Sequence, residues 1–267
     1  MERKYKRVIL ESIFIFSIVC LVWGNYYQGF YSKHMKKEMT GSESSVPVVH
    51  AQTVSAEAIE AKPTDQVYSY FQGPKAWKKK MSWSGYWGKK MIDGQFFGAY
   101  GCGACCMANI YSTFSPYKCT PVDVYQYTKK ITEYGGGGAI EWKYLSQTLH
   151  DIGFQNELAA KPGTYEEFRQ DISKLPCAMV LVTSYEKNSF WGATPGHYVT
   201  IFNYDERTGK VFLADSGTIE HNRRWVPLKS IYQSLKTVSK YQYIRVSNYQ
   251  EDLNQWKHKK AGGEWIR

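Results

Sequence analysis

The sequence predicts an α+β domain in which helices pack against an antiparallel sheet. Two observations carry this. After Cys102 the apolar residues recur at helical spacing through several capped segments, and from Cys177 onward the period shortens to that of strands separated by turn residues. The chain has 267 residues, 43% of them apolar, which suits one domain with a sizeable core plus accessory segments.

The elements follow in order. Arg3, Lys4, Lys6 and Arg7 precede an apolar stretch from Val8 to Trp23, interrupted by Glu11, Ser12 and Ser17. It is short beside the ~20 residues of a spanning helix, so a cleaved signal peptide is the rival reading. No small-residue cleavage site follows; the chain continues Trp23-Gly24-Asn25-Tyr26-Tyr27, and interfacial aromatics suit an anchor. Residues 1–24 are therefore expected to be an uncleaved signal anchor in the cytoplasmic membrane, basic end inside and the domain outside, with secretion as the alternative. Residues 25–66 are polar, without periodicity, and read as a tether. In residues 75–90, Trp77, Trp83 and Trp87 alternate with lysines. Such an arm packs its tryptophans on the domain and keeps the lysines wet, or touches an anionic wall polymer or lipid. The formal net charge of +10 is spread along the chain, and no nucleic-acid-binding pattern is present, so nucleic acid is excluded as a partner.

Ala104, Met107, Ala108, Tyr111 and Thr113 predict a buried helix after Cys102. Thr120 caps a second helix over Pro121 to Ile131, with Pro at its first position. A glycine run at 135–138 breaks the chain; residues 140–152 resume helical spacing, closed by Gly153. Thr164 with Glu167 three residues later opens another helix. "CAMVLVTSY", "GHYVTIFNYD" and "KVFLADSG" are strands, the last two joined by the turn Glu206-Arg207-Thr208-Gly209. "RRWVPL" is a short strand, Leu228 to Leu235 a short helix, and "YQYIRVS" the closing strand. The domain is placed at residues 67–248, with 249–267 a polar, fraying tail.

"GAYGCGACCMANIYSTF", residues 98–114, holds three of the six cysteines. Zinc would need a second ligand pair after Cys102-x-x-Cys105, and none follows, so no metal or cofactor is expected. A redox CxxC wants a preceding strand–helix–strand unit, which is absent. Cys105 or Cys106 could bridge to Cys119; that pairing stays open. The fourth reading is a nucleophile. Cys102 stands at a helix N-terminus, where the dipole favours a thiolate, and Gly101 and Gly103 flank it so that backbone and substrate can come close. With Cys20 in the apolar segment, five cysteines remain outside, an odd number that leaves one thiol unpaired. A thiolate nucleophile needs a base, an orienting acceptor and an oxyanion donor. His197 begins one strand and Asp215 ends the next, so a short hairpin sets them side by side. Gln95 lies seven residues before Cys102, close enough to turn its amide into the same cleft. Cys105, Cys106, Cys119 and Cys177 read as structural; His150 and His221 carry no pattern, and Asn222 and Trp225 are cleft candidates without further support.

At these residues the chain resembles the papain-like cysteine peptidases that process bacteriocin precursors after a double glycine, and their stand-alone relatives. The matching pieces are Gln95, Cys102-Gly103, Gly196-His197-Tyr198-Val199 and Ala214-Asp215, within about residues 90–247. The Gln-to-Cys spacing is one longer than that family's six, Ser216 stands where Pro is usual, and no Walker motif occurs. The resemblance implies a papain-like fold. It implies Cys102 as nucleophile, His197 as general base and later acid, Asp215 as orienter, and Gln95 with the Cys102 N–H as oxyanion hole. The expected activity is hydrolysis of a peptide bond in a peptide or protein substrate. Two alternatives carry different chemistry: a non-catalytic domain that binds a peptide or wall component, and an acyltransferase or amidase using the same triad.

Overall fold

The computed structural model describes residues 59–72, 91–192 and 194–259. The chain divides after Val54, and all described residues lie in the second unit. The expected anchor, most of the tether and the 75–90 arm fall outside the described residues. Among those described, no helix is long and apolar enough to cross a membrane.

Six strands form one antiparallel sheet: β3 (Ile152–Ala159), β4 (Cys177–Val182), β5 (His197–Asp205), β6 (Lys210–Ala214), β7 (Arg224–Pro227) and β8 (Tyr243–Asn254), in spatial order β3-β8-β4-β5-β6-β7. A separate two-stranded hairpin, β1 (Met91–Ile92) and β2 (Gln95–Phe96), precedes the helices. The helices are α1 (Phe97–Tyr100), α2 (Cys102–Phe114), α3 (Pro121–Ile131), α4 (Trp142–Asp151), α5 (Tyr165–Ile172) and α6 (Leu228–Ser234). The mixed architecture of helices and antiparallel sheet agrees with the predicted class.

The unbroken apolar run of β4 has a direct cause. Its odd residues Cys177, Met179 and Leu181 join a core with α2, α3 and α4, while Ala178, Val180 and Val182 join a second core with α5 and α6. A sheet covered on both faces buries both sides of its pleat, so alternation disappears. Helix α2 lies at the centre of the first core, and every residue from Cys102 to Phe114 is buried. Both expected caps form as capping boxes: Thr120 with Asp123 on α3, and Thr164 with Glu167 on α5.

Three expectations are corrected. First, the chain between α4 and α5 is a strand. Its burial pattern, three buried residues and then alternation, hid it behind the helix stop at Gly153. Gly153 has φ +95°, but it serves the turn from helix directly into β3. Second, the tail does not fray. Strand β8 continues past Tyr249 to Asn254, which pairs with Ile152, and Trp256 then stacks on Tyr127 with centroids 4.8 Å apart. Polar residues suffice there because β8 runs along β3 at the sheet margin, where one face stays wet. Third, the tether ends before residue 66. Arg223 donates to the carbonyls of Thr64 and Val67, and Asn203 donates to that of Lys62, so this segment lies on the domain. These anchors are backbone carbonyls, which no sequence pattern marks.

Gly153→Ala should test the α4–β3 turn. A Cβ there would stand 2.6 Å from the Gln250 carbonyl oxygen, on a backbone that alanine disfavours. The expected cost is about 2 kcal/mol, or a fall of roughly 4–8 °C in melting temperature. Thermal melting checks it, and an unchanged midpoint would show that the turn relaxes freely.

Candidate active site

Helix α2 sets the first residue of the site. Gly101 precedes it because a Cβ would lie 2.6 Å from the Phe97 ring, and Gly103 follows because a Cβ would press on Leu145 at 3.1 Å. Both glycines are thus demanded by packing, not by substrate approach as the sequence suggested. They let the N-terminus of α2 sink against α4 and β5. The Cys102 thiol then lies beside His197, with the backbone of Tyr198 and Gly103 also within its reach.

Strands β5 and β6 place the other two residues. Thr200 pairs with Ala214, so Asp215 falls beside Val199 and meets His197 diagonally, one pleat along on the same face. His197 Nε2 is 2.8 Å from Asp215 Oδ1. That leaves Nδ1 to face the thiol. Cys102 and His197 keep 6% and 8% exposure while Asp215 has none, so solvent reaches the reacting pair and not the carboxylate.

Asp215 is held from several sides. The Trp191 indole N–H donates to Oδ2 at 2.8 Å, the Gly217 N–H donates to Oδ1 at 2.7 Å, and the Asn222 side-chain oxygen accepts from the Asp215 N–H at 3.0 Å. His221 Nδ1 stands 3.3 Å from Oδ2, near enough for a charge contact but out of line for a hydrogen bond. Burial works against the carboxylate, yet His197, His221 and Trp191 hold it well below the usual range. Burial likewise opposes an imidazolium, but Asp215 and Cys102 push His197 up to about 10. At Cys102, burial raises the thiol, and the contact with His197 together with the Tyr198 and Gly103 backbone brings it below its ordinary value. A thiol lowered beside an imidazole raised is a thiolate–imidazolium pair.

The other cysteines differ. Cys105, Cys106, Cys119 and Cys177 are buried thiols pushed well above the ordinary range by desolvation. No bridge joins Cys119 to Cys105 or Cys106; all five described cysteines are reduced. No cluster of His, Cys, Asp or Glu suited to a metal occurs among the described residues.

Gln95 is not brought to the triad. It lies exposed on β2, where it pairs with Ile92 across the hairpin. A different glutamine is close. Gln72 donates its N–H to the Ser216 carbonyl at 3.0 Å, accepts from Ser216 Oγ at 2.7 Å, and donates from Nε2 to the Gly98 carbonyl at 3.1 Å. It ties the 67–72 segment to the loop after Asp215 and to the turn before Cys102. Its distance in sequence from Cys102 removed any spacing signal. Trp191 and His221 were missed for the same reason, since each sits on a loop that only the fold brings to Asp215. Asn222 does reach the site, through the Asp215 backbone, whereas Trp225 is 43% exposed and packs on Phe212 instead.

The profile of the phytochelatin synthase family matches residues 111–244, about half of the chain. The chain belongs to that family, whose domain is a papain-like cysteine enzyme with a Cys-His-Asp site. The matched stretch contains His197 and Asp215, and Cys102 lies just before it. The match supports the papain-like enzyme that the motifs imply and does not extend to the bacteriocin-processing type. No curated protein matches the chain.

The paired charges fix the pH dependence. Activity should rise as Cys102 ionises, below the range of an ordinary thiol, and fall as the imidazolium loses its proton near pH 10. His197, raised in the fold, stabilises it fully below the ordinary histidine value, and that contribution fades as pH rises through about 10. Asp215, lowered in the fold, contributes above the ordinary carboxylate range and loses its effect on acidification. Asp215→Asn removes the charge that raises His197, so the alkaline limb should move down by roughly one to three pH units. A pH–rate profile of the variant with an unmoved alkaline limb would separate Asp215 from the imidazole.

Proposed function

We propose that this member of the phytochelatin synthase family opens peptide bonds by acyl transfer through a thioester on Cys102. The observation that carries the reading is the linked arrangement of Cys102, His197 and Asp215, with the only lowered thiol of the described cysteines at its end. The thiolate attacks the carbonyl carbon, and the oxyanion forms beside the N-terminus of α2, whose first N–H groups have no partner within the helix. His197 gives its proton to the leaving amine, the C–N bond breaks, and a thioester remains. Water, deprotonated by His197, then releases an acid; this is the peptidase outcome.

An amine that resolves the thioester in place of water gives transpeptidation, and the family's name, a synthase, favours this second outcome. Both share every step up to the thioester. The second donor of the oxyanion hole is read as Gln72, not Gln95: its amide stands between the turn before Cys102 and the loop after Asp215, and one N–H of Nε2 remains after the bond to Gly98. The apolar segment after the basic N-terminal residues supports a domain held outside the cytoplasmic membrane, and residues 75–90 remain a proposed contact with an anionic wall or lipid.

A peptide vinyl sulfone should label Cys102 and no other cysteine, as peptide mapping by mass spectrometry will read. Cys102→Ala should fold and abolish turnover, because a helix-start side chain shrinks with little packing loss; residual cleavage would sink the scheme. Gln72→Ala should lower kcat by roughly 10²-fold while Gln95→Ala stays near wild type, and the reverse order would return the oxyanion role to Gln95. With a dipeptide amine present, a transpeptidase yields the ligated product, whereas only the free acid appears for a peptidase. Protease added to intact cells should remove the domain. Recovery of a mature chain in the medium, beginning downstream of Trp23, would refute the anchor.

A further inference from the structure

The segment ahead of the catalytic helix reaches the loop after Asp215 by more than Gln72. Residues 67–71 are all buried. On one side the N–H groups of Tyr68 and Tyr70 donate to the side chains of Thr113 and Asn109 on α2, at 3.0 and 2.9 Å. On the other side Ser69 Oγ donates to Asn222 Oδ1 at 2.5 Å. Two backbone bonds to a fully buried helix fix the residue between them, so the Ser69 hydroxyl is presented to the loop from a rigid base.

Through the same oxygen Asn222 accepts from the Asp215 N–H at 3.0 Å. The direction of both bonds follows from chemistry. A backbone N–H can only donate, so the oxygen of the Asn222 amide faces it, and a hydroxyl that meets this oxygen must donate as well. Nδ2 of Asn222 is buried and has no hydrogen-bond partner among the described residues. A side chain that leaves its own donor unmet in the interior is kept there for its acceptor. Arg223, next in sequence, has φ +56°, in the left-handed region, and its guanidinium donates to the carbonyls of Thr64 and Val67 at 2.7 and 2.6 Å. Two consecutive residues of the loop thus grip one segment. Ser69, Asn222 and Asp215 are all buried, so water does not compete for the bonds that join them.

Asp215 meets His197 at 2.8 Å, and a backbone shift at residue 215 is a shift of that contact. The donors described above hold the two carboxylate oxygens, whereas the Asn222 oxygen holds the main chain that carries them. We propose that Ser69 and Asn222 form a positioning pair for the triad: the Ser69 hydroxyl sets the Asn222 amide, the amide sets the backbone of Asp215, and the carboxylate is thereby kept in line with the His197 imidazole. Both residues act on the reacting atoms only through Asp215. The segment ahead of α2 is then a working part of the active site, joined to it by Ser69 at Asn222 and by Gln72 at Ser216. The expected effect on turnover rests on the acyl-transfer reading above; the expected effect on the thiol does not.

Alkylation of Cys102 by iodoacetamide, followed against pH and read by peptide mapping, tests the pair without any substrate. The rate steps up as the thiolate forms beside the imidazolium. It steps up again, near pH 10 in the wild type, as the imidazolium loses its proton and frees the thiolate. Ser69→Ala should move the upper step down by about half a pH unit to one, because a carboxylate out of line holds the imidazolium less well. His197 is faced by Asp215, by Cys102 and, past Gly196, by Lys236, and Asp215 by His221 and Cys106. The substitution alters none of these charges, so a moved step reports position. Ser69→Thr, which keeps the hydroxyl, should return the step toward its wild-type pH. Asn222→Leu should move it further down, and Ser69→Ala should add nothing in that background, because the hydroxyl acts through the amide. With a peptide substrate, Ser69→Ala should lower kcat by about threefold to tenfold and leave KM unchanged. An upper step that stays at its wild-type pH in Ser69→Ala overturns the proposal even where the melting temperature falls, and so do additive effects in the double variant. Where Asn222→Leu does not fold, the comparison of Ser69→Ala with Ser69→Thr decides alone. If the step moves while the wild type opens no peptide, the pair is placed correctly and the acyl-transfer reading is the one that fails.

Discussion

A carboxylate with no exposure to water constrains this structure. Taking Asp215 out of solvent costs several kcal/mol unless donors replace the lost hydration. The replacements come from separate parts of the chain: an imidazole from β5, an indole from the loop after β4 and a backbone N–H from residue 217. Each donor that satisfies Asp215 is thereby fixed in place. The catalytic orientation of His197 and the closure of the loop that carries Trp191 are consequences of the same electrostatic requirement. Gly217 belongs to this constraint too, since a Cβ there would stand 3.0 Å from His197 Nε2.

The two cores explain why one thiol is reactive and its neighbours are not. Helix α2 is buried along its whole length, so the cysteines beyond its first residue sit where an anion has no stabilisation. Cys105 and Cys106 find only the hydroxyls of Ser216 and Thr200, which are weak partners beside an imidazolium, and their values go up. Cys102 occupies the one position of that helix that combines its N-terminal N–H groups with His197. Three cysteines in five positions therefore amount to one nucleophile and two small core residues.

Much of this was legible in the sequence, and what was not has a common physical origin. The helix after Cys102, the capped helices and the hairpin that joins His197 to Asp215 are local consequences of spacing and turn chemistry, which a linear reading can follow. The positions of Cys102, His197 and Asp215 were legible because each sits at the end of a regular element. Gln72, Trp191 and His221 were not, because they reach the site from loops whose course is decided by long-range contacts, such as the backbone hydrogen bond of Gln72 to Ser216. Strand β3 was hidden by its place at the sheet edge, where half of its residues face water. Gln95 shows the opposite failure: a residue with near-correct spacing is carried outward by the β1–β2 hairpin, whose turn needs positive φ at Asp93 and Gly94.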